Sequence, residues 1–113
     1  MRIINLDQLK SVFANLPENP RIIASGNFAT PHTLLKLADE NISEFTLHML
    51  NAQPGIPNRP GVQYESAFVG AGMRGSDRLN YVPARLSLLP VMLRDHLVPD
   101  VVLVHTSAPR FDT

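Results

Sequence analysis

The sequence has 113 residues, ten acidic against ten basic, and no cysteine. That length allows one domain, near the lower limit for an α/β sheet covered on both faces. Balanced charge without a basic stripe disfavours nucleic acid and anionic membranes as partners, and the lack of thiols removes disulfides, a thiol nucleophile and thiolate metal ligands.

Met1 to Leu16 carries Leu6, Leu9, Val12, Phe13 and Leu16 at i, i+3, i+4, i+7 spacing, so a leading amphipathic helix is predicted within residues 1–20. Asn5 or Asp7 suits its N-cap, and Pro17 with Pro20 stops it. Asp7, Lys10 and Glu18 interrupt the apolar residues, so no secretory leader is expected. No apolar run reaches the ~20 residues that span a bilayer. A soluble, cytoplasmic protein is the expectation.

Arg21 to Glu40 is the organising stretch. Ile22-Ile23-Ala24 reads as a strand that enters a turn at Ser25-Gly26-Asn27. Thr30 as N-cap and Pro31 at the first helical position then open a helix carrying Leu34, Leu35, Ala38 and Ile42. This is half of a βαβ unit, and in open α/β sheets ligands gather at the carboxyl edge where such loops lie. Small residues Ser25, Gly26 and Ala29 let backbone amides approach a ligand, although an ordinary β-to-α turn with Gly26 relieving strain explains them as well.

Phe45 to Leu50 reads as a buried parallel strand. His48 within it reads first as a satisfied interior or edge histidine, since nothing nearby supplies a second ligand at metal spacing. Asn51 to Gln63 holds three prolines and two glycines and excludes a regular element. A loop of that length in a compact domain is usually functional or disordered. Tyr64 to Val69 reads as a short strand, and Gly70-Ala71-Gly72-Met73-Arg74-Gly75 after it formally matches G-x-G-x-x-G. A dinucleotide turn must run into a long helix, and Ser76 to Pro83 provides none. Asp95 lies at a helix end, not at the end of the next strand.

Ser87 to Leu93 predicts a short buried helix capped by Ser87, with Pro90 in its first turn. Val101 to Val104 predicts an interior parallel strand ending in His105-Thr106-Ser107. Strand ends at Gly26, Asn51 and Thr106 then line one edge of a sheet, the place for a ligand cleft. Thr106 and Ser107 fit hydrogen bonding there, or the simpler role of capping a turn.

Gly26-Asn27-Phe28-Ala29-Thr30-Pro31 after a strand, Phe68-Val69-Gly70 with Arg74, Tyr81-Val82-Pro83 with Leu86-Ser87, and Pro99-Asp100-Val101-Val102-Leu103 closing on Thr106-Ser107-x-Pro109 resemble, in this order, the N-terminal portion of the acetyl-CoA hydrolase/transferase family. This family belongs to the class I CoA-transferases and includes 4-hydroxybutyrate and succinyl-CoA:acetate CoA-transferases. The resemblance spans residues 21–113. It implies an open, mostly parallel α/β sheet flanked by helices, an incomplete N-terminal half of a CoA-transferase-type domain. It also implies acyl-CoA and a small carboxylate as ligands, with coenzyme A entering as substrate and no tightly bound cofactor or metal.

In that family a glutamate attacks the acyl-CoA, and covalent catalysis splits one difficult exchange into two easier steps. The resemblance places this glutamate, with the oxyanion-hole glycines, beyond position 113. Glu18, Glu40, Glu44 and Glu65 match no such motif, so the chain has no expected catalytic residue and is not expected to turn over alone. Its expected partner is the C-terminal half or another chain, within a homo-oligomer when complete. Candidate substrate- and CoA-binding residues are Gly26, Asn27, Phe28, Asn51, Gly70 and Arg74. Arg74 suits a substrate carboxylate or a CoA phosphate, and a surface or interdomain salt bridge equally. The alternative is a non-catalytic small-ligand-binding or interaction module.

Overall fold

The computed structural model describes residues 2–108. Within it the elements run α1 (Leu6–Ala14), β1 (Arg21–Ala24), α2 (His32–Asn41), β2 (Phe45–His48), β3 (Val62–Ser66), β4 (Leu79–Tyr81), α3 (Leu89–Asp95) and β5 (Val101–Leu103). The strands form one parallel sheet in the order β4-β3-β2-β1-β5. The architecture is an open α/β sheet, and every carboxyl end lies on the same edge. Asn5 caps α1: its side chain accepts from the Gln8 amide, and Gln8 returns the bond to the Asn5 amide.

Register divides the sheet into two faces. Ile22, Leu47, Tyr64 and Leu79 lie opposite one another across neighbouring strands on one face. Together with Phe13, Leu35, Ala38, Phe45 and Val62 they build the core beneath α1 and α2. The other face carries Ile23, His48, Glu65 and Asn80 in register. From β4 the chain crosses the whole sheet to reach β5, and right-handed crossovers place α3 on the face opposite α2. Leu86, Leu89 and Leu93 accordingly stand over Ile23 and His48.

The long loop between β2 and β3 is packed against the rest of the fold and is not a loose tether. It takes the place of a crossover helix, contributing Ala52 and Ile56 to the core. Tyr64 Oη donates to the Pro57 carbonyl at 2.6 Å. Burial pushes the Tyr64 phenol above its ordinary range, Arg78 acting against that and Asp39 with it. Arg59 locks the loop onto the end of α2: Nε donates to Asp39 Oδ1 at 2.6 Å, and the other nitrogens donate to the carbonyls of Asp39, Ile42 and Ser43. One planar fork thus pairs a carbonyl of the last helical turn, Asp39, and two carbonyls of the exit that follows, Ile42 and Ser43.

Several expectations are corrected. Thr30 does not cap α2, which starts at His32 with Pro31 before it; the Thr30 hydroxyl donates backward to the Asn27 carbonyl at 2.7 Å and closes a 3-10 turn. The third strand begins at Val62 and ends at Ser66, short of Val69. Strand β4 was not expected, because a three-residue edge strand leaves little periodicity to read. Ser87 lies in a 3-10 turn ahead of α3, and only Leu89 of that helix is buried, so α3 is a surface helix. Val101–Leu103 is an edge strand paired with β1 alone, and Val102 is 59 % exposed. A continuous β-branched run looks the same at an edge as in the middle of a sheet.

Candidate functional site

The loops that follow β1, β2 and β3 meet at the carboxyl edge. Asn51 Nδ2 donates to Asn27 Oδ1 at 2.5 Å, and the Asn27 amide donates to the Asn51 carbonyl at 3.4 Å. The Asn51 amide in turn donates to the Phe68 carbonyl at 2.7 Å. Both asparagines adopt left-handed backbone, φ 53° at Asn27 and 50° at Asn51, a region asparagine tolerates better than other side chains. Gln53 Nε2 reaches the same Asn27 oxygen at 3.4 Å.

The glycines at this rim serve close packing. Gly26 has an ordinary φ of −103°, so backbone strain does not explain it. A Cβ there would overlap the Leu50 carbonyl, and one at Gly70 would overlap the backbone of Asn51 and Ala52. The space left by the absent side chains is filled by the neighbouring loop. What remains open to a ligand is the outer surface of the rim, where Phe28 is fully exposed.

Of the six candidate residues, Gly26, Asn27, Asn51 and Gly70 are thus joined by contact, and Phe28 stands beside them in the turn that Gly26 opens. Arg74 does not join this group. Its Nη2 donates to the Val69 carbonyl at 3.4 Å, and the side chain lines a separate polar cleft of about 520 Å³ with Asn58 and Arg78. Arg74 makes no ion pair among the described residues. The Gly70–Gly75 segment forms turns and no helix starts there, in keeping with rejection of the dinucleotide reading. Thr106 Oγ1 donates to the Ser107 carbonyl at 2.9 Å, a local turn bond, and Pro109 lies outside the described residues.

Order reversal in the sheet adds a second feature of this edge. Successive strands run outward from β1 to β4, and the chain then returns to the other side of β1 as β5. The β1–β5 boundary is therefore the topological switch point, where loops diverge and crevices open. A cleft of about 300 Å³ lies there, between Thr30–Leu34 and Val104–His105.

A polar cluster on the α3 side of the sheet was not anticipated. Glu65, 2 % exposed, accepts from Arg21 Nε at 3.2 Å and Arg21 Nη2 at 3.3 Å, and His48 Nδ1 lies 2.8 Å from its Oε1. Burial raises the Glu65 carboxyl, but the His48 hydrogen bond and the Arg21 charge outweigh it and hold the group below its usual value. These residues come from β1, β2 and β3, and only the strand register brings them together. A charged residue within a strand was the available signal, and it names no partner. No group of three His, Cys, Asp or Glu among the described residues is arranged to hold a metal.

No protein-family model and no curated protein matches this sequence. Among the described residues, no helix is long and apolar enough to cross a membrane.

Proposed function

We propose that the chain supplies the N-terminal part of an acyl-CoA and carboxylate cleft, in an acyl-CoA:carboxylate CoA-transferase or acetyl-CoA hydrolase whose attacking glutamate comes from other polypeptide. The observation that carries this reading is the rim itself: Gly26, Asn27, Asn51 and Gly70 from three loops interlock at the carboxyl edge of one parallel sheet. In such a cleft Asn27 and Asn51 offer amide donors and acceptors, and Phe28 offers an exposed aromatic face. Arg74 sits at one side, suited to a phosphate of the long coenzyme and not to the reacting carboxylate.

Two further observations support the reading. Glu65 has both carboxylate oxygens engaged by Arg21 and His48, which makes it a poor nucleophile and leaves the attacking group to be supplied from elsewhere. Val98, Val102 and Val104 are each more than half exposed around β5, an apolar surface suited to covering polypeptide. Acyl transfer would then occur between this rim and the added half, with backbone amides of that half stabilising the oxyanion.

The test is CoA transfer from acetyl-CoA to small carboxylates, measured on the chain alone and with the glutamate-bearing half. The expected result is no turnover alone and transfer after combination, with Phe28→Ala lowering kcat/KM at unchanged stability. Turnover by the 113-residue chain alone overturns the placement of the nucleophile. Inactivity of the combined halves overturns the function.

A further inference from the structure

Between α3 and the sheet lies a cavity of about 510 Å³, bordered at one side by Gly26 of the rim. Its walls are mostly apolar, with Ile23, Leu50, Leu89 and Leu93 among them, and Ser25 and His48 are its polar side chains. Ile23 pairs with His48 in the sheet, and Ser25, two residues on from Ile23, falls on the same face. Ser25 Oγ and His48 Nε2 are both shielded from solvent, and neither has a hydrogen-bond partner among the described residues. Native proteins rarely leave such atoms unpaired, because each has given up water without a replacement.

The His48–Glu65 contact determines what Nε2 can accept. An ionised Glu65 only accepts hydrogen bonds, so His48 Nδ1 carries the proton facing it. In the neutral ring Nε2 then presents a lone pair, and it is the ring nitrogen left to meet an occupant of the cavity. Ser25 Oγ carries a hydroxyl proton to give. An occupant that pairs both must donate to His48 Nε2, while Ser25 Oγ can give its proton to it or accept one from it.

We propose that this cavity binds a small, largely apolar molecule bearing one hydroxyl, an alcohol or a phenol. The hydroxyl donates to His48 Nε2 and accepts from Ser25 Oγ, and the carbon skeleton fills the space beneath α3. A carboxylate has no proton to donate and would bring negative charge toward Glu65. An ammonium would desolvate its charge against leucine side chains. The volume falls in the range of small-molecule pockets, and a few placed polar groups in an apolar wall are their usual design. Only Leu89 of α3 is buried and no side chain caps the helix, so α3 can shift to admit the ligand. Of the rim candidates only Gly26 borders the cavity, and neither Ser25 nor His48 is among them, so the proposal does not rest on the CoA reading.

The experiment is an NMR titration of the ¹⁵N-labelled full chain with phenol, and separately with toluene, which lacks the hydroxyl. Phenol should give saturable shifts at the Ile23 and Leu89 amides and move the His48 Nε2 resonance, binding at least tenfold more tightly than toluene. His48→Phe should erase the preference for phenol. Leu93→Trp, which fills the cavity from a partly exposed wall, should abolish binding of both while the His48 Nδ1 proton signal persists. If His48→Phe fails to fold, the Nε2 shift and Leu93→Trp still decide. Absence of saturable phenol binding, equal affinity for toluene with Nε2 unmoved, or binding that survives Leu93→Trp overturns the proposal.

Discussion

His48 and Glu65 face each other in register on β2 and β3, Nδ1 2.8 Å from Oε1, with each residue only 2 % exposed. Arg21, on the far side of the same carboxylate, completes a chain of charge across three strands. Removing one member leaves another buried and uncompensated, which is where such networks become costly.

Glu65→Gln should therefore lower stability by about 3 kcal/mol at neutral pH, read from urea midpoints. The pH dependence has a definite sign. The folded-state value of Glu65 lies below 4.5, so its contribution is fully present above that value and is lost as pH falls through the lower folded value. The wild type should thus lose stability on acidification below 4.5, and Glu65→Gln should show a shallower loss over the same window. Parallel curves for the two proteins would mean that the pair contributes nothing.

Gly26 and Gly75 should respond differently to alanine. At Gly26 the added Cβ meets the Leu50 carbonyl, and rigid backbone cannot yield, so Gly26→Ala should cost about 1–3 kcal/mol. Gly75 has φ +81° with open space around it, and Gly75→Ala should cost about 1 kcal/mol through backbone strain alone. Denaturant midpoints compare the two, and amide shifts at Asn27 and Asn51 should move only for the first.

Arg59 holds the β2–β3 loop by four hydrogen bonds to Asp39, Ile42 and Ser43. Arg59→Ala should cost about 2 kcal/mol, and Arg59→Lys should recover less than half, because an ammonium cannot span four acceptors in one plane. Hydrogen exchange provides the local readout: the Val62 amide, bonded to the Arg59 carbonyl at 2.9 Å, should lose protection in both variants.

On the edge strand, neighbouring positions should separate sharply. Val102 is 59 % exposed and Leu103 is 5 % exposed. Val102→Thr should change stability by less than about 0.5 kcal/mol, whereas Leu103→Ala should cost about 2–4 kcal/mol. Thermal melts of the two variants check this, and equal losses would place β5 inside the sheet.

Much of the fold was written locally. The spacing of Leu6, Leu9, Val12 and Phe13 marks an amphipathic helix, and Asn5 with Gln8 starts it. Ile22-Ile23-Ala24, then Gly26 and the helical spacing of Leu34, Leu35 and Ala38, yields strand, turn and helix because backbone preferences act over a few residues. The parallel arrangement of strands and the gathering of their carboxyl ends also follow from such units. Those features need no knowledge of distant partners.

Tertiary structure decided the rest. Whether Val101–Leu103 lies inside the sheet or at its edge depends on where the chain crosses, and no local pattern records that. Gly26 and Gly70 look like ligand cradles in sequence, yet the backbone of the β2 loop fills their space, because loop proximity is set by strand order. Arg21, His48 and Glu65 become one network only when three strands are aligned to the residue, since a slip of one position turns each side chain to the opposite face.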